Sequence, residues 1–205
     1  MLKEQKQNVK EMIRMNVVIE GLPGTGKTSV INLLKANRLI KDIEILPEYL
    51  PSIEGDREDI SFYIKNEKAK SELLENNKNK TLICDRYWQS SAIYCAACSN
   101  GLNIKDINSI YSMLYREQLC SNYIYIYLKI PVEDSLQRAQ VPDVGNMWAV
   151  SSFAQRCSQL YDMLYDQIEE IDRGVSDKLI INVLEKNLYE SVETIEKFLL
   201  DKVNG

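Results

Sequence analysis

The 205-residue sequence contains no histidine. That absence excludes a Ser-His-Asp or Cys-His nucleophile, a histidine general base and a histidine-ligated zinc. Acid–base work must fall to carboxylates, lysine or tyrosine, and charge stabilisation to lysine, arginine or a metal. No apolar run reaches the roughly 18 residues that span a bilayer. The first residues, Met1 to Met15, are polar and mixed in charge, unlike a secretory signal. A cytoplasmic protein without membrane contact is therefore expected. Basic excess is also missing: 25 Lys and Arg stand against 30 Asp and Glu. A nucleic-acid polymer, whose backbone needs a basic face, is not an expected partner. The five cysteines (Cys84, Cys95, Cys98, Cys120, Cys157) are an odd, scattered set. Cys95 and Cys98 form a lone C-x-x-C in an apolar helical stretch, Ala92 to Cys98, so the thiols read as reduced and buried.

What is present is a regular alternation. Short apolar strands are predicted at Asn16–Glu20, Ile43–Leu46, Thr81–Asp85, Tyr123–Leu128 and Leu179–Val183. Helical patterns lie between and after them, at Lys27–Asn37, Asp56–Asn76, Ile104–Leu119, Val132–Arg138, Ser151–Ile171 and Leu188–Lys202. The strands are continuous apolar runs, as when both faces of a sheet are covered. The expectation is an α/β domain: a five-stranded parallel sheet flanked by helices in a three-layer sandwich. Residues 1–14 read as an appended helix and 15–205 as one domain, with a lid segment near 139–153. The tyrosines of Tyr123-Ile124-Tyr125-Ile126-Tyr127 read as strand packing without a site role.

Glycine is scarce, eight in all, and three of the eight fall in Gly21-Leu22-Pro23-Gly24-Thr25-Gly26-Lys27-Thr28. This segment satisfies G-x-x-x-x-G-K-[ST] at every fixed position, between a predicted strand and a predicted helix. Glycines let backbone N–H groups approach phosphate oxygens, and the helix adds the positive end of its dipole. Lys27 is expected on the β- and γ-phosphates of ATP and Thr28 on Mg²⁺. The donor-binding set is Gly21, Gly24, Thr25, Gly26, Lys27, Thr28 and the adjoining Ser29. A second cluster closes the third strand, where Asp85 is followed by Arg86 and Tyr87. Ligands of parallel sheets collect at the carboxyl ends of strands, so Asp85 is placed beside the loop as a metal or acceptor ligand. Arg86 is placed on the transferring phosphoryl.

Together these features resemble the thymidylate kinase and deoxynucleoside kinase group of P-loop kinases. Asp85-Arg86-Tyr87 with Ser90, Ser91 and Tyr94 is similar to the D-R-Y-x-x-S-S-x-x-Y stretch of thymidylate kinases. Phe153, Arg156 and Tyr161 match F-x-x-R-x-x-x-x-Y, and Leu128 to Arg138 resembles the strand and helix leading into their lid. The resemblance implies that Glu48, after the second strand, faces the acceptor sugar as base or hydroxyl ligand. It implies that Phe62 or Tyr63 stacks on the acceptor base, with Tyr94 beside it. It also allows a homodimer.

Two departures bear on the acceptor. Where thymidylate kinases carry an arginine for the acceptor's monophosphate, this chain has Asn66-Glu67-Lys68. Glu67 would repel a phosphate dianion, while Lys68 could replace the arginine. The lid, Ala139 to Phe153, has no basic residue, leaving Arg138 before it and Arg156 after it as candidates to reach the phosphates. Trp148 and Met147 read either as ligand contacts or as packing. The expected activity is transfer of the γ-phosphoryl of Mg·ATP to a nucleoside monophosphate. The alternatives are a nucleoside or other small hydroxyl compound as acceptor, or a nucleotide-binding protein without catalysis. A GTPase switch lacks its guanine-reading N-K-x-D.

Overall fold

A computed structural model describes residues 15–56, 59–99, 102–114, 119, 122–140 and 147–204. The expected helix at 1–14 and the lid residues 141–146 lie outside the described residues, as does Cys120. Five strands, β1 (Met15–Glu20), β2 (Ile43–Leu46), β3 (Thr81–Asp85), β4 (Tyr123–Lys129) and β5 (Val175–Asn182), form one sheet in the order β2-β3-β1-β4-β5. Every pairing is parallel. The helices are α1 (Lys27–Asn37), α2 (Ile60–Glu75), α3 (Trp88–Cys98), α4 (Ile104–Leu114), α5 (Val132–Ala139), α6 (Ser151–Ile171) and α7 (Leu188–Asn204). A 3₁₀ turn at Met147–Ala149 precedes α6.

The period-2 geometry of β4 builds two cores from one strand. Its Ile124, Ile126 and Leu128 join Val17 and Ile19 of β1 against α1 and α7. Its Tyr123, Tyr125 and Tyr127 face the opposite layer, with α3, α4 and α6. That is the three-layer sandwich the apolar runs imply. The tyrosines are buried, and two have partners: Tyr123 donates to Asp172 Oδ2 at 2.6 Å and Tyr127 to Asp162 Oδ1 at 3.2 Å. Trp88 Nε1 also donates to Asp172 Oδ2, at 3.0 Å, which ties the first turn of α3 to the end of α6.

Two elements start four residues away from the sequence reading, and the burial of the cysteines differs from it. β5 begins at Val175, not Leu179, because its first half is a partly exposed edge strand whose Ser176, Asp177 and Lys178 interrupt the apolar run. α2 begins at Ile60, not Asp56: Asp59 is its N-cap, accepting from Ser61 N at 2.9 Å. The cysteines are not uniformly buried. Cys84 and Cys157 are, but Cys95 is half-buried and Cys98 exposed, where the last turn of α3 leaves the core.

Candidate active site

The carboxyl ends of β1, β3 and β4 meet at the centre of the sheet, and the glycine-rich loop Gly21–Gly26 leaves β1 there. Its backbone geometry is forced by close neighbours. A Cβ on Gly21 would lie 2.3 Å from Leu128 O, and one on Gly24 would lie 2.6 Å from Ser135 O. α5 is therefore seated directly on the loop, and Ser135 Oγ donates to Pro23 O at 2.6 Å. Gly26 caps α1 in a left-handed conformation, φ 87°. Thr28 and Ser29 are exposed on the first turn of α1, while Thr25 is buried with its hydroxyl donating to Leu22 O. Lys27 is folded across the loop. Its Nζ donates to Gly21 O and Leu22 O, each at 3.0 Å. Burial, then the Arg86 guanidinium, lower its pKa to about 7, against the pull of Asp85, Glu20 and Glu48.

The turn after β3 is the second half of the site. Arg86 has φ 61°, a conformation a non-glycine residue keeps only when held. Lys70 of α2, fully buried, holds it by donating to Arg86 O at 2.8 Å and Asp85 O at 3.2 Å. Arg86 itself is buried. Its Nη1 donates to Tyr94 OH at 2.5 Å, Ser90 Oγ at 2.7 Å and Tyr161 OH at 3.1 Å. Nε stands 3.2 Å from Glu48 Oε1 as an ion pair without hydrogen-bond alignment. Beneath lies Glu20, the last residue of β1, with no exposed surface. Its carboxylate accepts from Tyr87 N at 2.8 Å, Ser90 Oγ at 2.6 Å and Tyr161 OH at 3.1 Å.

Asp85 points a buried Oδ1 that has no hydrogen-bond partner. Burial raises its carboxyl above the usual range, with Lys27 and Arg86 opposing. Among the described residues no group of three His, Cys, Asp or Glu could hold a metal ion. Mg²⁺ is commonly bound by one or two protein groups together with substrate phosphates and water. Asp85 and the Thr28 hydroxyl are the groups available for it.

Two clefts flank these residues. The first is lined by Glu48, Tyr49, Tyr63, Glu67, Arg86 and Tyr94, with Tyr87, Ser90 and Ser91. Its volume is about 10 Å³, so a nucleoside-sized molecule enters only when a wall moves. The second, about 260 Å³, lies between Gly24–Gly26, Arg138 and the chain beyond β5, at Val183, Lys186 and Leu188.

The structure thus brings together Lys27, Glu48, Asp85, Arg86, Tyr63 and Tyr94. It separates Phe62, which is buried against Tyr49 and Tyr63 (ring centroids 5.6 and 5.5 Å) and lines neither cleft. Arg138 is exposed beside the second cleft. Arg156 lines neither; its Nε donates to Ala97 O at 3.0 Å, at the end of α3. Trp148 packs edge-on against Tyr94 and Phe153. Glu20, Lys70 and Tyr49 were not singled out in the sequence. The available signal for Glu20 was a carboxylate ending an otherwise apolar strand.

Neither a protein-family model nor a curated protein sequence matches the chain. Solved structures do. A deoxyadenosine kinase from M. mycoides with products dCMP and a flexible dCDP bound is 17% identical, covering 91% of this chain and 99% of that one, with TM-score 0.62. The same kinase with bound dATP gives 16% identity, coverage of 93% and 100%, and TM-score 0.61. With bound dCTP the values are 20%, 91% and 100%, and 0.59. At these identities the likeness is one of fold, shared with that kinase over nearly the whole length of the chain.

Proposed function

We propose that this protein is a P-loop kinase that moves the γ-phosphoryl of Mg·ATP to a hydroxyl of a nucleoside. One observation carries the choice of acceptor. Among the described residues the first cleft has two carboxylates in its wall, Glu48 and Glu67, against one cation, Arg86, whose Nε is already paired with Glu48. Lys68, the residue that might replace a phosphate-gripping arginine, does not line it. A monophosphate dianion would meet net negative charge there; an uncharged nucleoside would not. The nucleoside alternative is therefore proposed ahead of the monophosphate acceptor implied by the thymidylate kinase resemblance. The deoxyadenosine kinase fold supports the same reading.

In this proposal the loop from Gly21 to Thr28 binds the donor phosphates, and Lys27 exchanges its two carbonyl partners for phosphate oxygens. The donor's base end occupies the second cleft, with Arg138 at its rim. Mg²⁺, held through Asp85 and Thr28, would neutralise charge on the bridging and transferring oxygens. Glu48 accepts the proton of the acceptor hydroxyl as its oxygen bonds to the γ-phosphorus. The bond between that phosphorus and the β–γ bridging oxygen breaks, releasing ADP. Arg86 stabilises the phosphoryl charge from a position fixed by Glu20, Ser90, Tyr94 and Tyr161.

The test is ADP release from Mg·ATP with nucleosides and nucleoside monophosphates, using Lys27→Ala as control. Stimulation by nucleosides supports the proposal. Stimulation by monophosphates alone returns the assignment to the thymidylate-kinase-like reaction. Absence of any stimulation, with Lys27-dependent nucleotide binding intact, would leave a binding role.

A further inference from the structure

Lys70 is a charged side chain that the proposed reaction does not use, and it has no exposed surface. It shares a face of α2 with Tyr63 and Glu67, which line the acceptor cleft, but it lines neither of the two clefts itself. Its side chain crosses instead to the turn after β3, where Nζ donates to Arg86 O at 2.8 Å and Asp85 O at 3.2 Å. Burying an ammonium is costly, and an apolar residue at this position would avoid that cost.

What the ammonium supplies is half of a clamp. Two peptide units join Arg86 to its neighbours, and all four of their polar groups are taken. Arg86 N donates to Ile19 O at 3.1 Å and Tyr87 N to Glu20 Oε1 at 2.8 Å, both on β1. The two carbonyls go to Lys70, and the Cys84 thiol adds a weaker contact to Arg86 O at 3.0 Å. β1 and α2 therefore grip the turn from two sides. Arg86 needs that grip, because φ 61° is a conformation that a residue with a side chain keeps only under constraint. The Asp85 carboxylate and the Arg86 guanidinium leave the backbone at either end of the gripped peptide, so a rotation of that peptide displaces both.

We propose that Lys70 is a positioning residue for phosphoryl transfer, fixing Asp85 and Arg86 at the reacting phosphoryl through their backbone carbonyls. The inference rests on the kinase reading. It gives α2 two duties: a wall of the acceptor cleft at Tyr63 and Glu67, and the mount of the Arg86 turn at Lys70. Acceptor and cation are thus placed from one helix.

The full-length protein is assayed for ADP release from Mg·ATP with whichever common ribo- or deoxyribonucleoside the wild type phosphorylates fastest. Lys70→Met removes both donated hydrogen bonds at nearly constant length. It is expected to lower kcat by about 10²-fold, as a misplacement of about 1 Å does, with acceptor KM and the Kd of Mg·ATP changed less than about threefold. Lys70→Arg keeps charged N–H donors and should recover kcat to within about tenfold of the wild type. If Lys70→Met does not fold, Lys70→Gln, with one shorter neutral donor group, takes its place and should lie below Lys70→Arg in kcat. An unchanged kcat in Lys70→Met overturns the inference, and so does a Lys70→Arg enzyme as slow as Lys70→Met. A raised acceptor KM with kcat retained also overturns it, because that is the signature of α2 merely losing support. In all three cases the kinase reading survives. If the wild type phosphorylates no nucleoside while Mg·ATP binds through Lys27, that reading falls and this inference with it.

Discussion

Glu20 and Arg86 face each other in the interior, Oε2 of one 3.8 Å from Nη1 of the other, between the strand that opens the phosphate-binding loop and the turn that follows β3. Glu20 has no exposed surface, and four further groups donate to it. Ser90 and Tyr161 bind both partners, so one network joins β1, α3 and α6. Its effect is to hold the Arg86 guanidinium in one orientation.

Removing Glu20 leaves that cation undercompensated. Glu20→Ala is expected to lower stability by roughly 3 kcal/mol, and Glu20→Gln, which keeps the shape, by roughly half as much. The midpoint of urea unfolding measures both. Equal, small losses would show that the carboxylate charge contributes nothing.

Lys27 should take up a proton when nucleotide binds. With a pKa of about 7 it is mostly neutral at pH 8, and the phosphates restore its charge. Calorimetry of Mg·ATP binding at pH 8 in buffers of different ionisation enthalpy should report about one proton taken up, lost in Lys27→Met.

The same shift sets a pH slope. Because the folded pKa lies below the ordinary 10.5, the unfolded chain binds more protons above pH 7, and stability rises with pH. Cys84, raised from 9.0 to about 12, acts in the opposite sense above pH 9. The contribution of Lys27 is therefore read between pH 7 and 9, where Lys27→Met should flatten the rise in unfolding free energy.

Two loop glycines should respond differently to alanine. At Gly24 the new Cβ meets Ser135 O at 2.6 Å and Ala139 N at 3.0 Å, both backbone, at φ 73°. A loss of about 2 kcal/mol or more is expected, with weaker Mg·ATP binding. At Gly26 nothing lies within 4 Å, and only the φ of 87° counts, about 1 kcal/mol. Thermal unfolding ranks them.

Arg138→Ala should raise the KM for ATP, by roughly tenfold, because Arg138 lines the donor-side cleft. Arg156→Ala should leave KM unchanged and cost about 1.5 kcal/mol of stability through its bond to Ala97 O. Steady-state kinetics with a denaturation curve for each variant separates the two roles.

The sequence alone determined the features coded by neighbouring residues. The spacing of Gly21 to Thr28 identified the phosphate loop. The continuous apolar runs identified parallel strands covered on both faces, since each depends on residues a few positions apart. It placed Asp85, Arg86 and Glu48 at strand ends, where the sheet brings them together. It did not choose between Phe62 and Tyr63, adjacent residues on α2 that point about 100° apart; only packing sends the first into the core and the second into the cleft. Nor did it separate Arg138 from Arg156, because an arginine's reach is settled by what lies opposite its helix. Tertiary structure alone decided the network around Arg86, whose members Glu20 and Tyr161 are 141 residues apart. It also decided that Glu67 lines the cleft beside Glu48, Tyr63 and Arg86. A buried polar group is defined by partners distant in sequence, and those exist only once the sheet and its two helical layers have closed.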